Sequence, residues 1–185
     1  GTTLDDALGE AFDKTARLLN LGYPGGPQIE KCATKGNPDK YKFPLPLIHE
    51  KNCNFSFSGL KSSVAQIVLN KKITEKFKCD VSASFQKTIS EILIKKTQTA
   101  VDIFNNMNKK QGRVNIVVAG GVAANKYLRS SLSSMETNSN VQFFFPSLQL
   151  CTDNGAMIAY AGIERYEKKI FNELSFKPRP RWPLD

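Results

Sequence analysis

A chain of 185 residues, 41% hydrophobic and 23% charged, is long enough to bury one sizeable core or two small ones, which excludes a disordered or low-complexity protein. Its longest apolar run, residues 116–124, falls far short of the about 20 residues that a membrane helix needs, and the acidic start has no signal-peptide pattern. The net charge of +9 is uneven: residues 1–30 carry −3, residues 31–113 carry +10 and residues 114–185 carry +2, so the middle of the chain is the part that attracts polyanions, nucleic acid first, unless its lysines are only a solvated surface.

The first element predicted is an amphipathic helix over Thr3 to Asn20, with Leu4, Leu8, Ala11, Phe12, Thr15, Leu18 and Leu19 on its apolar face, Thr2 or Thr3 as N-cap and Gly22 as C-cap. Asp6, Glu10 and Asp13 share its acidic side. Asp5 and Asp6 suit a helix N-terminus, whereas Asp13 lies mid-helix: it is either a solvated carboxylate or one that holds a ligand's hydroxyls or a cation. The absence of an initiator Met before a helix suggests that an amino-terminal piece has been removed. Tyr23 to Pro27 (YPGGP) reads as a rigid, tight loop whose glycines permit close approach of a ligand.

Residues 36–50 form a Lys- and Pro-rich extended connection in which Phe43, Leu45 and Leu47 alternate as a short strand. Phe55 and Phe57 make another short strand that enters a turn at Gly59, followed by a helix over Leu60 to Leu69. Lys71 to Asp80 is a basic connection. Val81 to Met107 is the longest periodic segment, a core-packing helix with Phe85, Ile89, Ile92, Leu93, Lys96, Ala100, Ile103, Phe104 and Met107 on its stripe and Gln86, Lys87, Glu91 and Lys95 facing out. Residues 31–113 are thus predicted to be a basic, helical insertion region, ending in a basic exit loop over Asn108 to Arg113.

Val114 to Ala119 is a continuous apolar run that predicts a strand buried on both faces, running into a Gly120-Gly121 turn. A helix begins near Ala124 and Asn125, with Leu128, Leu132 and Met135 inward, and a second strand, Val141 to Phe145, stops at Pro146. Strand, helix and strand over this length predict a parallel βαβ unit and an α/β fold. Ligands of open α/β sheets sit beyond the carboxyl ends of the strands, so Gly120 to Asn125 and Ser147 to Gly155 are expected to line one pocket. The glycine pair alone serves equally as a tight connection. Ala156 to Arg165 is a last helix, with Thr152 or Asp153 as its N-cap; Asp153 is alternatively a carboxylate in the pocket mouth able to bind a divalent metal. The tail from Lys177 is Pro-rich and extended. Cys32, Cys53, Cys79 and Cys151 form no Cys-x-x-Cys pair, which predicts reduced thiols in a cytosolic compartment, and His49 is the single histidine.

Six stretches in order then carry a resemblance: DDALGEAFDK (Asp5 to Lys14), YPGGP, NFSFSGLK (Asn54 to Lys61), VVAGGVAANKYLR (Val117 to Arg129), TDNGAMIAYAG (Thr152 to Gly162) and RPRWPL (Arg179 to Leu184). Together they resemble the carboxy-terminal half of the bacterial TsaD (Gcp) family, the tRNA N6-adenosine threonylcarbamoyltransferases, formerly labelled O-sialoglycoprotein endopeptidases. The resemblance implies the two-lobed actin, sugar-kinase and Hsp70 (ASKHA) fold, of which this chain is mainly the second lobe.

It further implies transfer of threonylcarbamoyl from threonylcarbamoyl-AMP to N6 of adenosine 37 in tRNAs that read codons beginning with A, in the cytoplasm. By resemblance Asp13 contacts the adenylate sugar, Gly26 contacts the same ligand, and Asn125, closing the Gly120-Gly121 motif, lies near the adenosine. Asp153 is by resemblance the aspartate that coordinates one divalent ion, iron or zinc. The other metal ligands implied, two histidines of a His-x-x-x-His motif, belong to the amino-terminal half and have no counterpart here, so this piece is expected to be inactive alone. A related pseudo-enzyme subunit (TsaB) and a small ATPase (TsaE) are the implied partners, and an exposed lobe interface would also suit a homodimer. An ATPase or small-molecule kinase on the same fold, or a non-catalytic assembly module, remain the alternatives. Lys61, Lys71, Lys72, Lys76 and Lys78 are nominated by charge alone for tRNA backbone.

Overall fold

A computed structural model describes residues 1–69, 71–108, 112–137, 139–175 and 177–178. Among them are six α-helices: α1 (Leu8–Leu18), α2 (Gly25–Ala33), α3 (Ser58–Leu69), α4 (Glu75–Asn108), α5 (Lys126–Ser133) and α6 (Gly155–Glu167), together with two strands, β1 (Val114–Val117) and β2 (Val141–Phe144). The motif RPRWPL and residues 109–111 of the exit loop lie outside the described residues.

The helix α1 forms because Ala11, Phe12, Thr15 and Ala16 recur on one face and are buried. It starts at Leu8, later than expected, and neither Thr2 nor Thr3 caps it. The reason is tertiary: Thr3 makes a parallel bridge with Phe55, with Leu4 N–H donating to Phe55 O at 2.8 Å and Phe55 N–H donating to Thr2 O at 2.9 Å. Asp5 turns away from its own helix and caps α3, accepting from Phe57 N at 2.8 Å, Ser58 N at 3.2 Å and Ser58 Oγ at 2.8 Å. Gly59 therefore lies inside α3, not in a turn, and the expected strand at Phe55 is that single bridge. At the other end of α1 the left-handed residue is Asn20, at φ 53°, and Leu21 N–H closes back onto Ala16 O at 3.0 Å, so the cap assigned to Gly22 is made two residues earlier.

The YPGGP stretch is loop only as far as Pro24; from Gly25 it is α2. A Cβ on Gly25 would come within 2.6 Å of Asp13 Cα and 2.7 Å of Phe12 O, so this glycine is required by the close packing of α2 on α1. The expected strand through Phe43, Leu45 and Leu47 is absent: Leu47 adopts φ 55°, and Phe43 instead buries its ring against Phe85, centroids 6.3 Å apart. This long connection is held by polar side chains of α4. Asp80 accepts from Asn37 N at 2.7 Å, Ser84 Oγ accepts from Tyr41 N at 3.1 Å, and the buried Lys96 donates to Asn52 O at 2.9 Å and Glu50 O at 3.3 Å.

α4 is the spine: 34 residues, starting at Glu75 and so six residues before the predicted start, which shortens the basic connection. Its buried stripe ends at Val101, so Ile103, Phe104 and Met107, expected inward, are exposed on the last turns that run beyond the core. The main core joins α1, α2, α3 and α4 through Phe12, Ile29, Leu60, Val64, Phe85, Ile89 and Ile92. Where α2 packs on α4, Cys32 and Cys79 lie with their sulfurs 2.9 Å apart; burial, followed by the Cys79 contact, pushes the Cys32 thiol up to about 11.

The βαβ unit is as the sequence predicts. β1 and β2 are parallel, with Val114 opposite Val141 and Val117 opposite Phe144, and α5 lies between them in sequence. Burial of β1 on both faces is not observed: Val117 is 73% exposed and Phe144 44%. Helices cover one face only, where Val101, Leu132, Met135, Val141 and Phe143 form a second core. α6 has no buried residue, and Met157, Ile158, Tyr160, Ile163 and Tyr166 are exposed along it. No helix among the described residues is long and apolar enough to cross a membrane.

Burial opposes ionisation of Asp5, but the hydrogen bonds from Ser56, Phe57 and Ser58 win and hold its carboxyl well below the usual carboxylate range. A depressed folded pKa stabilises at pH above the unfolded value of 3.8 and that stability drains away as pH falls through the folded value. Asp5→Ala is expected to cost about 1 kcal/mol at neutral pH and to flatten the loss of melting temperature on acidification below pH 3.8. An equally steep acid limb in both proteins, measured by thermal denaturation, would remove the capping role.

Candidate functional site

α1, α2, the turn after β1 and the loop after β2 enclose a cleft of about 450 Å³. α1 contributes Gly9, Phe12 and Asp13. α2 and its N-cap contribute Pro24, Gly26, Pro27 and Glu30. The post-β1 turn contributes Gly121, Val122, Ala124 and Asn125, and Thr152 enters from beyond β2. The expectation of one pocket shared by the two strand ends therefore holds, and Asp13 and Gly26 join it from the other side. Gly120 does not line the cleft; at φ 89° it supplies the bend that turns Gly121 inward, a conformation that favours glycine.

Each wall is set by a local bond. Asp13 Oδ1 accepts from Gly25 N at 2.7 Å, so this mid-helix carboxylate caps the neighbouring α2. Gly26 has no atom within 4 Å of where a Cβ would stand, so the α2 backbone is bare on its cleft side. Asn125 is 6% exposed and is the N-cap of α5: its Oδ1 accepts from Leu128 N at 3.0 Å, while its Nδ2 donates to Gln86 Oε1 at 2.9 Å. Gln86 is 4% exposed, which corrects its assignment to the solvent face; the helical period placed it beside Lys87, but its carbonyl oxygen turns inward to accept from Asn125.

Glu30 escaped the sequence reading. It stands one turn after Gly26 on the same face of α2, and its Oε1 accepts from Lys126 N at 2.7 Å, tying α2 to the start of α5. The i, i+4 spacing from Gly26 was the available signal. Asp153 is placed differently. It is exposed and does not line the cleft, and neither it nor Thr152 caps α6; Asn154 does, accepting from Met157 N at 3.0 Å. Among the described residues no group of three His, Cys, Asp or Glu side chains is gathered to hold a metal ion, so Asp153 is a lone carboxylate and the residues present do not by themselves fit a divalent ion.

The chemistry of the cleft is that of holding, not of attack. Phe12, Val122, Pro24 and Pro27 offer apolar surface to a flat ring, Asp13 and Glu30 offer carboxylate oxygens to hydroxyl donors, and among the described residues no Ser–His or Cys–His pair lines it. A parallel βαβ unit whose post-strand turns open into such a cleft is the arrangement in which open α/β sheets bind ligands, and it defines the class of this fold as α/β. The family model "TsaD: tRNA N6-adenosine threonylcarbamoyltransferase" matches residues 1–160. Proteins named tRNA N6-adenosine threonylcarbamoyltransferase from Rickettsia massiliae and Rickettsia rickettsii are each 53% identical to this chain, over all of it and 54% of their own length. The protein of that name from Pelagibacter ubique is 52% identical over all of this chain and 51% of its own length. The chain belongs to the TsaD family, and it spans about half the length of the curated relatives it matches.

The two adjacent glycines of α2 separate packing from ligand space. Gly25→Ala, whose Cβ meets backbone, is expected to destabilise by about 2 kcal/mol, whereas Gly26→Ala, facing open space, is expected to stay within about 1 kcal/mol of wild type. Chemical denaturation of the two variants side by side checks this order; equal midpoints would mean that α2 is free to shift away from α1.

Proposed function

We propose that this chain is the second, ligand-holding lobe of an ASKHA-fold tRNA N6-adenosine threonylcarbamoyltransferase, acting in the cytoplasm. The whole protein transfers threonylcarbamoyl from threonylcarbamoyl-AMP to N6 of adenosine 37 of tRNAs that read codons beginning with A. The observation that carries this reading is the convergence of Asp13, Gly26 and Asn125 on one cleft, although they come from three separate stretches of a family-matched chain.

In this reading the adenylate lies across the bare α2 backbone at Gly26 and the turn at Gly121. The Asp13 oxygen not used by Gly25 N–H accepts from the ribose, with Glu30 at the other side of the same face. Asn125 keeps one N–H beyond its bond to Gln86, enough for a single contact to the adenosine. The chain's share of catalysis is positioning: a bound intermediate held in one geometry presents its acyl group to the incoming amine. A divalent ion, iron or zinc, would need donors beyond the single carboxylate of Asp153. The 185-residue chain alone is therefore expected to be inactive, and the related pseudo-enzyme subunit TsaB, the small ATPase TsaE or a second copy of the chain would meet its uncovered surfaces.

For tRNA, the nominated lysines divide by their partners. Lys76 is paired with Asp80 at 2.9 Å and Lys78 with Glu75 at 2.7 Å, while Lys61, Lys71 and Lys72 have no described ion pair. Lys71 stacks over the Tyr41 ring, 5.8 Å from its centroid. The unpaired three are the better candidates for phosphate contacts.

Calorimetric titration of AMP into the chain tests the cleft. Asp13→Asn keeps an oxygen for Gly25 N–H but loses the charge, and it is expected to weaken AMP binding about tenfold without unfolding the protein, as loss of a charge-assisted hydrogen bond does. Unchanged affinity in that variant would place the ligand elsewhere. ATP hydrolysis by the chain in the absence of tRNA would favour an ATPase instead.

A further inference from the structure

The two loops that follow β1 and β2 face each other across one side of the cleft, yet beyond the strand ladder no hydrogen bond among the described residues joins them directly. One side chain reaches both. Arg129, on α5, donates from Nε to Ala123 O in the post-β1 turn. Its Nη2 donates to Pro146 O at 2.7 Å and to the Cys151 sulfur at 3.1 Å, at either end of the post-β2 segment. Its guanidinium carbon lies 5.0 Å from the centroid of the Phe145 ring.

We propose that Arg129 is a positioning residue: it sets the separation of the two loops and so places Thr152 against Gly121, Val122 and Ala124. The inference rests on the reading of the cleft as the adenylate site. A planar fork with donors on different edges suits this task, because each acceptor lies in a different direction and the ring takes the flat face. Lysine carries the charge but offers one ammonium at one point, which cannot satisfy Ala123 and the Pro146–Cys151 segment together. Cys151 is the receiving end: 3% exposed, with its sulfur also 3.5 Å from Ser147 O, it fastens the start of the loop that leads to Thr152. The residues Arg129 touches do not themselves line the cleft, so its effect on a ligand passes through Gly121, Val122, Ala124 and Thr152.

Hydrogen exchange and AMP titration on the 185-residue chain test the proposal with Arg129→Gln, Arg129→Lys and, as a milder change that keeps the arginine, Cys151→Ala. In Arg129→Gln, amide exchange at residues 120–124 and 147–152 is expected to quicken together, by about tenfold or more, while α1 and α2 exchange as in wild type. AMP affinity is expected to fall about tenfold, and Arg129→Lys is expected to restore neither exchange nor affinity. Cys151→Ala is expected to quicken exchange at 147–152 alone, and it decides the loop attachment if the arginine variants do not fold. Wild-type exchange in either loop of a folded arginine variant, or in the second loop of Cys151→Ala, overturns the clamp. Loosened loops with unchanged AMP affinity overturn the positioning role while leaving the attachment. Failure of the wild-type chain to bind AMP counts against the reading of the cleft, and the exchange arms still decide the clamp.

Discussion

Two consecutive residues in the middle of α4 reference both walls of the cleft to one helical turn. Phe85, fully buried, packs edge-to-face with the Phe12 ring, centroids 5.2 Å apart, and Phe12 is the neighbour of Asp13. Gln86, next along, holds the amide of Asn125 at 2.9 Å from the opposite side. Aromatic edge-to-face contact and burial fix the first distance, and a buried amide–amide hydrogen bond fixes the second. If α4 shifted by a fraction of a turn, Asp13 and Asn125 would lose their common reference and the cleft its shape. A long helix with little chemistry of its own thus decides where the chemistry-bearing residues stand.

The same economy appears at the helix ends. The first N–H groups of a helix must find acceptors, and here several come from outside the helix. Asp5 caps α3, Asp13 caps α2, and Glu30 reaches the first N–H of α5, whose conventional cap is Asn125. Each such bond fixes the angle between two elements as well as ending one. It also means that Asp13 and Asn125 serve structure and ligand cleft at once, so a substitution that removes the hydrogen bond confounds the two roles and an isosteric one separates them.

Apolar surface is distributed unequally. α1 to α4 bury a continuous aromatic and aliphatic core, whereas one face of the two-stranded sheet and the whole of α6 leave Val117, Phe144, Ile158, Tyr160 and Tyr166 exposed. In a chain that spans about half the length of its relatives, most of the uncovered apolar surface thus lies on the sheet side and α6, with Leu69, Phe104 and Met107 exposed at the ends of α3 and α4.

Local pattern determined a good deal: the existence of α4, the parallel βαβ unit, the turn at Gly120-Gly121, the placement of Lys96 on a buried stripe and, by resemblance, the family. These follow from period and turn chemistry, which act over a few residues. Tertiary structure alone decided the rest. Asp5 was legible as an acidic residue suited to a helix start, but which helix it caps depends on Thr3 pairing with Phe55, fifty-two residues away in sequence. The alternation of Phe43, Leu45 and Leu47 looked like a strand, yet among the described residues no neighbouring strand takes its hydrogen bonds, and the Phe85 ring claimed Phe43 instead. Gln86 lay on the polar side of its helix until Asn125 gave its amide a partner, and Glu30 became part of the cleft only when α2 packed on α1. Partners far apart in sequence choose among locally equivalent conformations, and the free energy of those contacts exceeds the small preferences that a single stretch of chain can express.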